Sequence, residues 1–327
     1  MEDKGRRLIF LITLPRSGST LLQHMLASHS EISATAEPWV LFPSICALRR
    51  DMIRAEYNEV AAQRALSEFL THFPQGEDEY YSAVRRMALH LYDEFMRQDG
   101  TKRFLDKTSR YHLVFREIFR TFPAAKFILL VRNPLAILAS FLENMVDGDW
   151  RRLCTRGIRH DLSQGLGNVR DAVTCLGENA RVIRYEALVN DAAGEMKGLC
   201  KFLGLEYEDG MVNYGDRVGV LSGQFVDHKS IHRHMAPVKD YEDAWRSKYL
   251  DPQRRLFARG FLTSLGPQVT DPLGYPHAEL MAQLPMLPFG LRPLVPWRWA
   301  VAERRKLRFW HKAYLWMAYC LRERQQK

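Results

Sequence analysis

The sequence predicts an α/β fold in which a central parallel sheet is flanked by helices, with helical insertions and a C-terminal amphipathic helix. Three observations carry this. Strand, turn and helix recur in that order, long helical stretches separate the copies, and the strands are continuous apolar runs, the pattern of strands covered on both faces. A chain of 327 residues, 46% hydrophobic and 26% charged, can bury a sizeable core of this kind.

Leu8 to Leu14 is the first apolar run, too short to span a membrane, and Pro15-Arg16-Ser17-Gly18-Ser19-Thr20 breaks it before an apolar helix. The second unit is Phe127 to Val131, interrupted by Arg132-Asn133-Pro134 ahead of a periodic helix, and the third is Val182 to Arg184 with a helix near Leu188. Helical patterns fill residues 78–98, 109–122 and 163–178. Ligands of parallel sheets collect at the carboxyl ends of the strands, where Arg16, Arg132 and Tyr185 would sit. Residues 205–240 carry Gly210, Gly215, Gly219 and Gly223 without periodicity and read as a long, lid-like loop. From 266 to 296 the chain is rich in Pro and Leu and reads as an extended excursion. Residues 1–265 therefore form the predicted α/β domain, and 266–327 a C-terminal extension.

A net charge of +9 favours an anionic partner, whether nucleotide, nucleic acid, acidic substrate or membrane surface. The five cysteines form no C-x-x-C pair, which argues against a disulfide framework or zinc knuckle. With no long apolar segment, this predicts a cytoplasmic protein.

The turn after the first strand poses the chemical question. A Walker-type loop ends in G-K-[ST], its lysine reaching the β and γ phosphates; here Gly18 and Thr20 hold the outer positions and Ser19 the lysine's. A helix starting near Ser17 would aim the amides of Ser17 to Leu21 at one anion, with Arg16 adding charge and Gly18 permitting close approach. The alternative is that Ser17 only caps the helix. Arg132 leaves the second strand, and Ser140 follows eight residues later, two turns into the next helix. Two anion sites on one P-loop-like sheet suit a nucleotide phosphorylated at both 5′ and 3′ positions.

"LPRSGSTLL" resembles the 5′-phosphosulfate loop of sulfotransferases that use 3′-phosphoadenosine 5′-phosphosulfate (PAPS). "VRNPLAILASF" resembles their 3′-phosphate motif, and "VIRYEALVND" their third block, whose tyrosine lies near the adenine. The blocks occur in the family's order and are closest to the tyrosylprotein and bacterial group. The resemblance implies a PAPS donor, released as 3′-phosphoadenosine 5′-phosphate (PAP), bound by Arg16, Ser17, Gly18, Ser19, Thr20, Arg132, Ser140, Tyr185 and Ser230. It implies Glu37 as the base, with Ala36 where relatives often carry a second acid, and Lys107 at the bridging oxygen beside Arg16. The bland readings are a surface carboxylate before Pro38 and a snorkelling surface lysine. His29 is the reserve base.

Since these cations neutralise the transferring group, no metal is expected. Asp227, His228, His232 and His234 lack zinc spacing. Ala244 precedes Trp245 where the family often has a lysine, leaving Lys239 or Lys248 as substitutes. Residues 297–327 combine Arg304, Arg305, Lys306, Arg308 and Lys312 with an apolar stripe through Trp310, Tyr314, Met317 and Leu321. Such a helix could lie on an anionic membrane, dock a carrier protein, or pack on its own domain. The predicted partner is a hydroxyl-bearing acceptor, not nucleic acid. The competing readings are a P-loop kinase, disfavoured by Ser19, and a non-catalytic anionic-surface binder, which leaves both phosphate loops unexplained.

Overall fold

Five short strands build one parallel sheet in the order β2-β3-β1-β4-β5. The computed structural model describes residues 3–49, 58–149, 152–153, 156–214 and 244–284. The strands are β1 (Leu8–Thr13), β2 (Ile32–Ala34), β3 (Arg103–Asp106), β4 (Lys126–Val131) and β5 (Ala180–Arg184). Every residue of β1 is buried, as the central strand of a covered parallel sheet requires. Its side chains alternate: Ile9 and Leu11 enter one core, and Leu8, Phe10 and Ile12 the other.

The first core is closed by α1 (Ser19–Ala27), α9 (Tyr185–Asn190) and α10 (Ala192–Leu203), through Leu22, Met25, Leu188, Met196 and Leu199. The second is closed by α2 (Leu41–Cys46), α4 (Glu77–Asp99), α5 (Phe115–Thr121) and α8 (Leu166–Leu176). Two layers of helix thus cover the sheet. Helix α3 (Glu59–Leu70) precedes α4, and α6 (Pro134–Asn144) and α7 (Arg156–His160) lie between β4 and α8. Helix α4 has Glu77, Asp78 and Glu79 in its first turn, which suits the positive end of its dipole, and Gly100 caps it at φ 71°. Its buried stripe is Tyr81, Val84, Ala88, Tyr92 and Met96.

The chain divides into two compact units, Met1–Ile137 with Gly165–Asp243, and Leu138–Gln164 with Ala244–Lys327. The first holds the sheet. In the second, the helix Pro252–Leu265 starts at Asp251, whose side chain accepts from Arg254 N at 2.8 Å. Glu143 takes Arg254 at 3.1 Å and Lys248 at 3.4 Å.

Three expectations change. The predicted helix over 109–122 breaks into a 3-10 turn at Tyr111–Leu113 and α5, and β3 lies where no strand was expected. The stretch from 266, read as extended, forms the short helices Pro267–Thr270 and His277–Ala282, because proline at a helix start costs no hydrogen bond. The C-terminal amphipathic helix lies outside the described residues, as do Ser230, Lys239, the Asp227–His234 cluster and most of the lid-like loop. Among the described residues no helix is long and apolar enough to cross a membrane.

Candidate active site

Each strand delivers a candidate residue at its carboxyl end: Arg16 to Thr20 after β1, Glu37 after β2, Lys107 after β3, Arg132 after β4 and Tyr185 after β5. The loop after β1 turns through left-handed backbone at Arg16, φ 69°, and Gly18, φ 93°. Gly18 occupies the N-cap of α1 with no side-chain cap, so Ser17 is not the cap. The Ser17 hydroxyl is buried without a hydrogen-bond partner among the described residues, and Ser19 is buried as well. A buried hydroxyl at a helix N-terminus that lacks a protein partner fits an anion in the loop.

Arg132 and Tyr185 complete this corner. Arg132 Nη1 donates to the Arg16 carbonyl at 3.1 Å, and its guanidinium lies 4.1 Å from the Tyr185 ring centroid. A Cβ on Gly18 would stand 2.3 Å from Tyr185 Cδ2, so only glycine lets the tyrosine lie against the loop. Glu186 Oε1 accepts from Asn133 N at 2.8 Å, tying the turn after β4 to α9. Arg16, Gly18, Arg132 and Tyr185, one or more from each of the three sequence blocks, therefore meet in space. Ser140 lies in α6, where its hydroxyl accepts from Asn144 Nδ2 at 3.3 Å.

Across the sheet, Glu37 and Lys107 form a buried ion pair, Nζ to Oε1 at 3.0 Å, with side chains 10% and 4% exposed. Neither is the surface group of the bland reading. Ser109 donates to Glu37 Oε2 at 3.1 Å. Beneath them Asp106, fully enclosed, accepts from Tyr92 Oη at 2.5 Å, Tyr111 Oη at 2.7 Å and Thr108 Oγ1 at 3.2 Å. Burial pushes its carboxyl up to about 6 against the pull of these donors. Tyr111 stacks on Phe42 at 5.6 Å, and Phe42 on Trp39 at 5.0 Å, an aromatic wall in the segment after Glu37.

The two histidines differ. His29 Nδ1 accepts from Glu31 N at 3.0 Å, so Nε2 carries the proton and donates to Glu206 O at 2.8 Å. With both nitrogens engaged it brackets α1 to the Glu206 segment, a poor position for a base. His24 is buried, its Nε2 lacks a partner among the described residues, and burial, helped by Lys107, lowers it to about 4. Lys248, a suggested lid substitute, is paired with Glu143. Among the described residues no three His, Cys, Asp or Glu side chains gather as metal ligands would.

Sequence reasoning missed Ser109 and the Asp106 cage. Ser109 stands two residues after Lys107, a spacing with no meaning until the turn is folded; Tyr92 reaches Asp106 from another helix.

A sequence model of the sulfotransferase family matches residues 8–209, from the start of β1 to beyond α10. The chain belongs to the sulfotransferase family. Its matched span includes every residue placed around the two clusters above, from Arg16 to Tyr185. The nodulation protein NoeE of Sinorhizobium fredii (strain NBRC 101917 / NGR234) is 37% identical over 131 residues, 40% of this chain and 30% of that protein. A protein-tyrosine sulfotransferase of Drosophila melanogaster is 24% identical over 224 residues, 66% of this chain and 42% of that one. The chain thus spans less than half the length of either relative. The sulfotransferase domain from the curacin biosynthetic pathway aligns with a TM-score of 0.53 at 21% identity, covering 73% of this chain and 90% of that domain, and shares its fold.

Proposed function

We propose that this sulfotransferase moves a sulfuryl group from PAPS to an acceptor hydroxyl by in-line displacement, with Glu37 as base. The observation that carries the reading is the contact of a buried carboxylate and a buried ammonium, Glu37 and Lys107, at the ends of neighbouring strands of the sheet that bears the anion loop. When bound, the donor supplies a sulfuryl group already activated by a phosphate leaving group. The residues supply the rest. Glu37 accepts the acceptor's proton, while Lys107 and Arg16 neutralise charge on the leaving phosphate. Amides of Gly18 to Thr20 and the hydroxyls of Ser17, Ser19 and Thr20 hold the 5′ end, the Ser17 amide being taken by Leu14 O at 3.3 Å. Arg132 and Ser140 hold the 3′-phosphate, Tyr185 faces the adenine, and Ser230 reaches the phosphate side. Positioning and electrostatics dominate, as in phosphoryl transfer, and the chain's cations leave no role for a metal.

The acceptor in this reading is a small-molecule, carbohydrate or lipid hydroxyl in preference to protein tyrosine. The half-buried rings of Trp39 and Phe42, backed by the buried Tyr111, support an acceptor with an apolar face. We assign catalysis to residues 1–265, with 266–327 a C-terminal extension whose basic stretch 297–327 would contact a membrane or carrier protein. Transfer of label from sulfur-35 PAPS to a panel of sugar, lipid, phenol and tyrosine-peptide acceptors tests this. Transfer lost in Glu37→Ala and Lys107→Ala supports the reading. Transfer that survives in Glu37→Ala removes the base assignment.

A further inference from the structure

Glu37 and Lys107 are the groups whose charges the proposed reaction uses, and in the free protein they neutralise each other. Lys107 covers Oε1 at 3.0 Å and Ser109 covers Oε2 at 3.1 Å, and the carboxylate has no other partner among the described residues. An ammonium 3.0 Å from a carboxylate spends most of its charge there, although it keeps two further N–H donors and the carboxylate keeps unused lone pairs. Delivering the full ammonium charge to a leaving phosphate therefore requires Lys107 to exchange its Glu37 contact. The backbone of the turn is fixed: Asp106 is anchored from three sides, and Tyr111 N donates to Thr108 O at 3.0 Å. Ser109 has a one-carbon side chain on this fixed turn. Lys107 has a flexible four-carbon stem and can leave by rotation about its own bonds.

We infer that Ser109 is the positioning residue of the base and that Lys107 is the exchangeable arm of the same clamp. Lys107 moves from Glu37 Oε1 to the donor's leaving phosphate, and Ser109 keeps the carboxylate aligned while that oxygen is uncovered for the acceptor. The inference rests on the sulfotransferase reading above. It makes donor binding a competition: the phosphate must take Lys107 away from Glu37, and the bound state leaves Glu37 dependent on Ser109.

Both consequences are measurable by calorimetric titration with PAP, without an acceptor. Glu37→Gln binds PAP about tenfold more tightly than wild type, because Lys107 is already released. In a Lys107→Met background the same substitution changes affinity by less than about twofold, whereas simple relief of like-charge repulsion would tighten both backgrounds equally. Ser109→Ala weakens PAP by about three- to tenfold, Ser109→Thr restores it, and Ser109→Ala has no effect in the Glu37→Gln background. Equal tightening with and without Lys107, or Ser109→Ala binding as wild type does, overturns the inference and leaves the family reading standing. Failure of wild type to bind PAP overturns both. Lys107→Met leaves Glu37 buried without its cation, whereas the Ser109→Ala and Ser109→Thr comparison changes no charge and keeps the inference falsifiable if that variant folds poorly.

Discussion

Gly18 and Tyr185 show how closely single residues set this site. Alanine at 18 would need a φ of 93° and would collide with the tyrosine ring. Gly18→Ala is expected to lose PAP binding and about 1–3 kcal/mol of stability, read by calorimetry and urea unfolding. Arg132→Ala removes both the bond to the Arg16 carbonyl and the cation over Tyr185, and is expected to weaken PAP by about a hundredfold. Two buried groups give opposite pH signatures. His24 is lowered from 6.5 to about 4, so below pH 6.5 the unfolded chain takes up a proton that the folded one refuses, and acid destabilises. Asp106 is raised from 3.8 to about 6, so the folded chain holds its proton longer and stability falls as pH rises through that window. Relative to wild type, His24→Gln therefore gains stability between pH 7 and pH 5, and Asp106→Asn loses it, as urea midpoints at both values will show. At this scale the anion loop was legible because its residues are contiguous. Ser109 was not, because its meaning comes from Glu37, seventy-two residues away.

Among the elements, β1 and β4 announced themselves as unbroken apolar runs, which only strands buried on both faces carry. The strands that present Glu37 and Lys107 did not. β2 has three residues, and β3 is Arg-Phe-Leu-Asp, whose charged ends hide a strand whose aspartate is satisfied by distant tyrosines. That cage couples α4 and the 3-10 turn to the strand carrying Lys107. Tyr111→Phe removes one donor from a buried carboxylate and is expected to cost about 1.5–3 kcal/mol in urea unfolding, with Tyr92→Phe alike and the double variant non-additive. The short helices after 266 were missed because a composition of Pro and Leu fits extended chain and proline-started helix equally well.

For the whole molecule, the alternation of strand and helix was enough to predict the parallel sheet, and the sheet then places Arg16 to Thr20, Glu37, Lys107, Arg132 and Tyr185 at one set of strand ends. What the sequence left open is the acceptor, because residues 39–100 and 210–300, outside the three blocks, carry no motif that names one. The proposed donor residues all precede residue 266, so a chain ending at residue 296 is expected to bind PAP as the full chain does. The most direct test of the central claim is calorimetric titration of the full chain with PAP, alongside ATP with magnesium. The account predicts tight binding of the 3′,5′-bisphosphate, lost in Arg132→Ala and not reproduced by ATP. No binding of PAP, or a preference for magnesium-ATP, would contradict it and favour a kinase.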